Sequence, residues 1–186
     1  ALKAAAAWND VNLDLRWINA EKVDERMLSE VDGLVVPGGF GNRGVEGKIA
    51  AANYALDHDV PYLGLCLGMQ VACIASARRA GLTQANSEEF DKETKENVIY
   101  LMDGQEGKES TGGSMRLGDF PAKLVKGSKT AKIYGKTNIV ERHRHRYEFN
   151  NDYEKEFEKH GMMCVGRNPE SDLIEIVEIP SLKWYV

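Results

Sequence analysis

The sequence predicts an α/β protein with a doubly wound, mostly parallel sheet and an added antiparallel portion. Three observations carry this. Residues 33–36 and 60–65 are short, continuously apolar runs, the character of strands buried on both faces of a parallel sheet. Each leads into a helical pattern, over residues 44–58 and 69–80. Beyond Gly81 the pattern changes to short strand-like runs separated by turns. Strands alternating with helices pack as right-handed crossovers on one sheet, whereas consecutive short strands pair antiparallel.

Residues 1–8 read as the back half of a helix, 13–18 as a strand with mostly alternating polarity, and 21–30 as a short helix. After the two strand–helix units, residues 86–97 are polar. Residues 98–102 form a strand, and 103–113 a loop rich in glycine and charge. Further strands are expected over 122–125, 139–149, 162–165 and 173–179, with a helix over 152–160. No linker divides residues 1–186, so one domain is expected. A doubly wound fold opens with a strand and none comes first here, so the chain is expected to start inside its domain.

Composition bounds the function. A net charge of -5 argues against a general nucleic-acid or membrane binder, and no apolar run has the length of a transmembrane helix. The three cysteines, Cys66, Cys73 and Cys164, lack paired spacing. They fit a reducing compartment and a thiol role better than a disulfide framework, and the expected location is cytoplasmic. Cys73 and Cys164 sit in apolar surroundings and are expected in the core.

Cys66 differs. In Tyr62-Leu63-Gly64-Leu65-Cys66-Leu67-Gly68-Met69-Gln70 it lies between two glycines, where an apolar run meets a helical pattern. That is the layout of a nucleophile elbow with cysteine in place of serine. The strained strand-to-helix turn leaves no room for neighbouring Cβ atoms. The helix N-terminus it faces favours thiolate, the attacking species.

Two other stretches carry chemistry. Pro37-Gly38-Gly39-Phe40-Gly41-Asn42-Arg43-Gly44 contains G-x-G-x-x-G, so a dinucleotide-binding module is an alternative. That motif needs an acidic residue about 20 positions on, where this chain has Leu65-Cys66. The competing reading is a glycine loop whose bare N–H groups approach a reacting oxygen. Arg142-His143-Arg144-His145-Arg146, on a strand, places its arginines on one face and its histidines on the other. No third ligand accompanies His143 and His145, so no metal site is expected. The arginines suit a carboxylate, which a guanidinium grips bidentately.

These runs, with Asn86-Ser87-x-Glu89-Phe90, Gly112-Gly113-Ser114-Met115-Arg116-Leu117-Gly118 and the segment 139–148, resemble the glutaminase domain of CTP synthase. The Cys66 elbow is similar to that of class I glutamine amidotransferases generally, whose fold is flavodoxin-like. The Arg-His-Arg-His-Arg-Tyr and Met-Arg-Leu-Gly runs are narrower. The resemblance implies a Cys-His-Glu triad that takes ammonia from L-glutamine through a cysteinyl thioester at Cys66. It implies an oxyanion hole from the N–H groups of Gly39 and Leu67, and a glutamine pocket lined by Leu67, Gly68, Met69 and Gln70. Glu89 would hold the substrate α-ammonium and Arg146 its α-carboxylate. A separate amidoligase domain would use ATP and Mg2+ to aminate UTP to CTP, in a homo-oligomer that is tetrameric in the family. This domain itself would need no cofactor. In the family a His-Pro-Glu turn follows the strand matching Trp184-Tyr185-Val186 and supplies the base and its carboxylate. The chain is therefore expected to stop short of that turn, and none of His58, His143, His145 or His160 takes the role. The remaining alternative is a catalytically silent relative that binds a partner or small molecule.

Overall fold

The sequence of 186 residues is described by a computed structural model over residues 1–102 and 115–186. It opens with α1 (Leu2–Trp8), as expected, and α2 (Glu25–Ser29). The second helix is shorter than residues 21–30 because Asp24 caps it, its carboxylate accepting from the Met27 N–H at 2.9 Å. Residues 13–18, expected as a strand, form none. A strand exists through its ladder of hydrogen bonds, and none of the described strands pairs with this segment.

The two strand–helix units follow as β1 (Leu34–Val36), α3 (Val45–His58), β2 (Tyr62–Gly64) and α4 (Leu67–Arg79). β1 and β2 pair in parallel, Leu34 opposite Tyr62 and Val36 opposite Gly64. On the far side of β2, Tyr185 bridges Tyr62 in parallel, and the Gly64 N–H donates to the Val186 carbonyl at 2.8 Å. β2 is therefore flanked on both sides, and Tyr62 is fully buried and stacked on Tyr185. β1 is not: Val35 is 39% exposed, so the expectation of burial on both faces fails there. The uncovered side chain belongs to the strand with only one neighbour among the described residues.

Next come β3 (Asn86–Ser87), β4 (Asn97–Leu101), β5 (Arg116–Leu124), α5 (Lys129–Tyr134), β6 (Asn138–His145) and β7 (Tyr147–Phe149). A 3-10 turn (Asn151–Tyr153), α6 (Glu154–Lys159), β8 (Met163–Arg167) and β9 (Ile174–Glu178) complete the chain. β4 carries β3 in parallel on one side and β7 antiparallel on the other. The order β6-β5-β8-β9 is antiparallel throughout. The architecture is thus α/β with mixed parallel and antiparallel sheets, the antiparallel portion lying in the second half as expected. The loop predicted over 103–113 lies outside the described residues, as do Gly112, Gly113 and Ser114.

Further elements depart from the sequence reading, β5 among them, which begins at Arg116 where the strand was expected from residue 122. α5 was not expected, since six residues are too few to show a helical period. It is fixed from outside: Ser128 Oγ accepts from the Ala131 N–H, and the buried Glu178 carboxylate accepts from the N–H groups of Lys129 and Thr130 at 3.1 and 3.2 Å. The single strand expected over 139–149 is two strands in two sheets, parted by a bend at Arg146. The main core joins Ile49, Ala52 and Ala55 of α3, Val71, Cys73 and Ile74 of α4, and Val98, Phe149, Phe157 and Ile174 from the second half. Cys73 is in the core, as expected, and Cys164 packs against it.

Candidate active site

Cys66 is the N-cap of α4, with φ 56° and ψ -107°, a left-handed conformation that a side chain adopts only under strain. Backbone packing on both sides enforces it. A Cβ on Gly64 would lie 2.6 Å from the Gly68 carbonyl carbon, and one on Gly68 would lie 2.0 Å from the Val36 carbonyl oxygen. The Tyr62 hydroxyl donates to the Gly68 carbonyl at 2.8 Å, and the Leu65 N–H to the Val36 carbonyl at 2.9 Å. The ends of β1 and β2 and the first turn of α4 thus meet backbone on backbone, and Cys66 is left exposed on the crest.

The backbone N–H groups of Leu67 and Gly39 draw the Cys66 pKa down. Burial of the sulfur is the larger influence, and with the carboxylates of Glu89 and Glu148 it leaves the thiol above its usual range. The thiolate favoured by the helix N-terminus alone is therefore not the resting form. The residue has an accessible surface, yet it lines a hollow shared with the Glu89 carboxyl.

That hollow is lined by Gly39, Phe40, Cys66, Gln70, Glu89, His145, Arg146 and Tyr147. Each comes from a different constraint. The Glu89 N–H donates to Ser87 Oγ at 3.1 Å, and its Oε1 accepts from the Gly41 N–H at 2.7 Å, which ties the glycine loop to the 86–90 segment. Burial raises the Glu89 pKa, against the pull of the Gly41 N–H, Arg146 and Lys48. Gln70 Nε2 donates to the Tyr147 carbonyl at 3.1 Å, joining α4 to β7. The Arg146 carbonyl accepts from the Met102 N–H at 3.0 Å. This arrangement also accounts for the glycine loop without a dinucleotide, since the Gly41 N–H already holds a carboxylate.

His145 Nδ1 lies 3.2 Å from the Tyr147 carbonyl, and its Nε2 lies 2.8 Å from His143 Nδ1. A proton on each Nδ1 satisfies both contacts, which makes His145 a neutral imidazole. Burial, first, and then neighbouring positive charge push both histidines down to about 4. His58 and His160 bond backbone carbonyls of their own helices, those of Tyr54 and Glu156. Among the described residues no group of three or more His, Cys, Asp or Glu side chains could hold a metal ion. A second hollow, between α4 and α6, is lined by Ser76, Leu82, Phe157 and Met162 among others and holds no cysteine.

Of the residues expected at the site, Gly39, Cys66, Gln70, Glu89 and Arg146 come together. Leu67 offers its N–H while its side chain is buried. Gly68 and Met69 complete the turn behind without lining the hollow. Phe40, His145 and Tyr147 line it and were not expected. Strict alternation sets His145 and Arg146 on opposite faces, whereas the bend at Arg146 turns both to one hollow.

A strained cysteine elbow at a strand–helix joint, on a mixed α/β scaffold, defines the class. The family described as Glutamine amidotransferase class-I matches residues 1–185, and the chain belongs to it. The CTP synthase of Bacteroides fragilis is 50% identical over 192 residues, covering 100% of this chain and 36% of that protein. The CTP synthase of Roseiflexus castenholzii is 48% identical over 192 residues, covering 100% and 35%. The chain spans about a third of the length of the curated relatives it matches. The solved Trypanosoma brucei CTPS glutaminase domain with bound acivicin superposes with a TM-score of 0.90 at 39% identity, over 98% of this chain and 74% of that one. Within its class, then, the chain is a glutaminase domain of the CTP synthase kind. Among the described residues no helix is long and apolar enough to cross a membrane.

Proposed function

We propose that this domain hydrolyses L-glutamine at Cys66 and delivers ammonia to an amidoligase domain of the same enzyme, which aminates UTP to CTP. The observation that carries the reading is the hollow itself. It is lined by a nucleophile, a glycine backbone, a carboxyl group and an arginine around one small space. Glutamine is a zwitterion with a reactive amide, and such a ligand needs opposite charges held apart from the nucleophile. Arg146 is assigned to its α-carboxylate and Glu89 to its α-ammonium.

Cys66 Sγ loses its proton and attacks the γ-carboxamide carbon. The carbonyl oxygen becomes an oxyanion, a charge assigned to the N–H groups of Gly39 and Leu67. Removing one such donor from an acyl-transfer site costs about 10²–10³ in turnover. Collapse expels ammonia once its nitrogen is protonated, and water then cleaves the thioester to glutamate. The raised pKa of Cys66 means that a base must take its proton when substrate is present. We assign that base to none of the four histidines. His145, which lines the same hollow, has both nitrogens engaged and resists protonation.

ATP and Mg2+ are assigned to the amidoligase domain by resemblance, and no step of glutamine hydrolysis runs through them. We further assign the enzyme to the cytoplasm and to a homo-oligomer, tetrameric by resemblance. The test is a full-length enzyme carrying Cys66→Ala. Glutamate release and glutamine-dependent CTP formation are expected to vanish, while CTP formation from free ammonia persists. Glutamate release unchanged in the variant would overturn the assignment. A wild-type enzyme that binds glutamine without releasing glutamate would favour the silent relative.

A further inference from the structure

Behind the hollow lies a cluster of buried charge that the reaction does not use. Arg116, at the start of β5, has a side chain only 4% exposed. Its guanidinium forks onto Glu175 of β9, with Nη1 to Oε2 at 3.0 Å and Nη2 to Oε1 at 2.6 Å. The same Nη1 reaches Glu148 Oε1 of β7 at 3.3 Å. Both carboxylates are 3% exposed. The ring of Phe120 lies under the guanidinium carbon at 4.2 Å and meets the edge of His143 at 5.5 Å. His143 and His145 approach Glu175 and Glu148 at 3.6 and 3.4 Å.

The position of this cluster matters more than its energy. Arg116 pairs with His145 as the last register pair between β5 and β6. At the next residue, Arg146, the chain leaves that sheet and enters another as β7. Three consecutive residues at this crossing, His145, Arg146 and Tyr147, line the glutamine hollow, and the residue after them, Glu148, is the one Arg116 holds. One guanidinium therefore ties β5, β7 and β9 together across the bend. Only arginine has the fork for it: a lysine ammonium is a point charge that cannot bond two carboxylates in this planar geometry. A buried ion cluster of this kind is weak evidence of stabilisation, because desolvation offsets much of the attraction. Fixing a unique geometry is the role such a cluster serves better.

We propose that Arg116 is a positioning residue for glutamine: by bridging Glu148 and Glu175 it holds the β6–β7 bend, and through it the guanidinium of Arg146, where the substrate carboxylate binds. The inference rests on the glutamine reading above. Arg116 touches no substrate itself. A shift of about 1 Å in a binding group can cost a hundredfold in rate, so a displaced bend is expected to appear in the use of glutamine before it appears in the fold.

The experiment compares Arg116→Met, Arg116→Lys and the charge-matched double variant Arg116→Met/Glu175→Met in a full-length enzyme. Folding is followed by circular dichroism and thermal unfolding. CTP formation is measured with glutamine and, separately, with free ammonia. The expected result is a KM for glutamine raised tenfold or more in Arg116→Met and in the double variant. Arg116→Lys should be intermediate, and use of ammonia should stay within twofold of wild type. The double variant decides if the single one fails to fold, since it removes the uncompensated buried charge. A folded variant with wild-type KM for glutamine overturns the inference, as does parallel loss of glutamine and ammonia use in a folded variant. A wild-type enzyme that does not use glutamine overturns the underlying reading instead, so the two failures are distinct.

Discussion

Cys66 and its two charged neighbours set the chemistry at the scale of single residues. The sulfur is pulled both ways, by N–H groups toward thiolate and by burial and carboxylates toward thiol, and the second influence prevails. A glutamine-like electrophile is therefore expected to label Cys66 faster than Cys73 or Cys164. Its rate should keep climbing with pH through about 8.5, the ordinary thiol value. Cys73 is fully buried, and burial holds Cys164 up to about 12, so neither competes. Peptide mapping across a pH series checks both points, and preferential labelling of Cys73 would contradict the elbow. Arg146→Ala and Glu89→Ala are each expected to weaken use of glutamine about ten- to hundredfold, the worth of a charge-assisted contact of roughly 1.5–3 kcal/mol. Free ammonia should serve both variants as well as wild type. Equal losses with ammonia would assign these residues to the fold.

At the scale of elements, the elbow is a junction of three backbone segments, and its glycines are steric requirements. A methyl group at Gly68 would meet the Val36 carbonyl oxygen at 2.0 Å, and one at Gly64 the Gly68 carbonyl carbon at 2.6 Å. Backbone cannot step aside as a flexible side chain can. Gly68→Ala and Gly64→Ala are each expected to lose about 3 kcal/mol or more of stability. Gly33→Ala is the control: its new methyl would have only ordinary contacts, the nearest at 3.5 Å, and should change stability by less than about 1 kcal/mol. Urea unfolding of the three variants decides. The bend at Arg146 is an element of another kind, where a single run of sequence serves two sheets. Its two strands satisfy different ladders, Tyr147 against Leu101 and His145 against Arg116.

For the whole molecule, the buried cluster couples stability to pH. One guanidinium balances one carboxylate. Glu175 takes the bidentate contact, and burial pushes the second carboxyl, Glu148, up to about 8. In an unfolded chain Glu148 titrates near 4.3. Between these values the folded state binds the extra proton, so its contribution is full at low pH and is lost as pH rises toward 8. His143 and His145 act in the opposite sense: held neutral down to about 4, they favour the folded state increasingly as pH rises from about 4 to 6.5. Two groups against one make this cluster most favourable near pH 6.5. Glu148→Gln is expected to remove the decline between about 6.5 and 8, measured as the difference from wild type in urea unfolding at a series of pH values. A wild-type advantage that grows over that interval would refute the assignment.

The sequence by itself determined the features that depend on neighbours along the chain. A cysteine between glycines at a strand–helix joint marks the elbow because the constraint is local: positive φ and close backbone approach are written into four or five consecutive residues. The helices over 45–58 and 67–79 were legible for the same reason, since their period repeats within a few turns. The resemblance, in turn, selected Gly39, Gln70, Glu89 and Arg146, which lie far apart in sequence and meet in one hollow. Only the tertiary structure decided what lies around them. Residues 13–18 have strand-like alternation but find no described partner strand, and α5 exists because a carboxylate 45 or more residues away caps it. Alternation along a strand placed Arg146 opposite the histidines, and a change of sheet placed it beside His145. The resting state of Cys66 and the shifts of Glu148 and His145 follow from burial and from charges on other strands. Desolvation and long-range pairing are properties of what the fold assembles, and no local pattern encodes them.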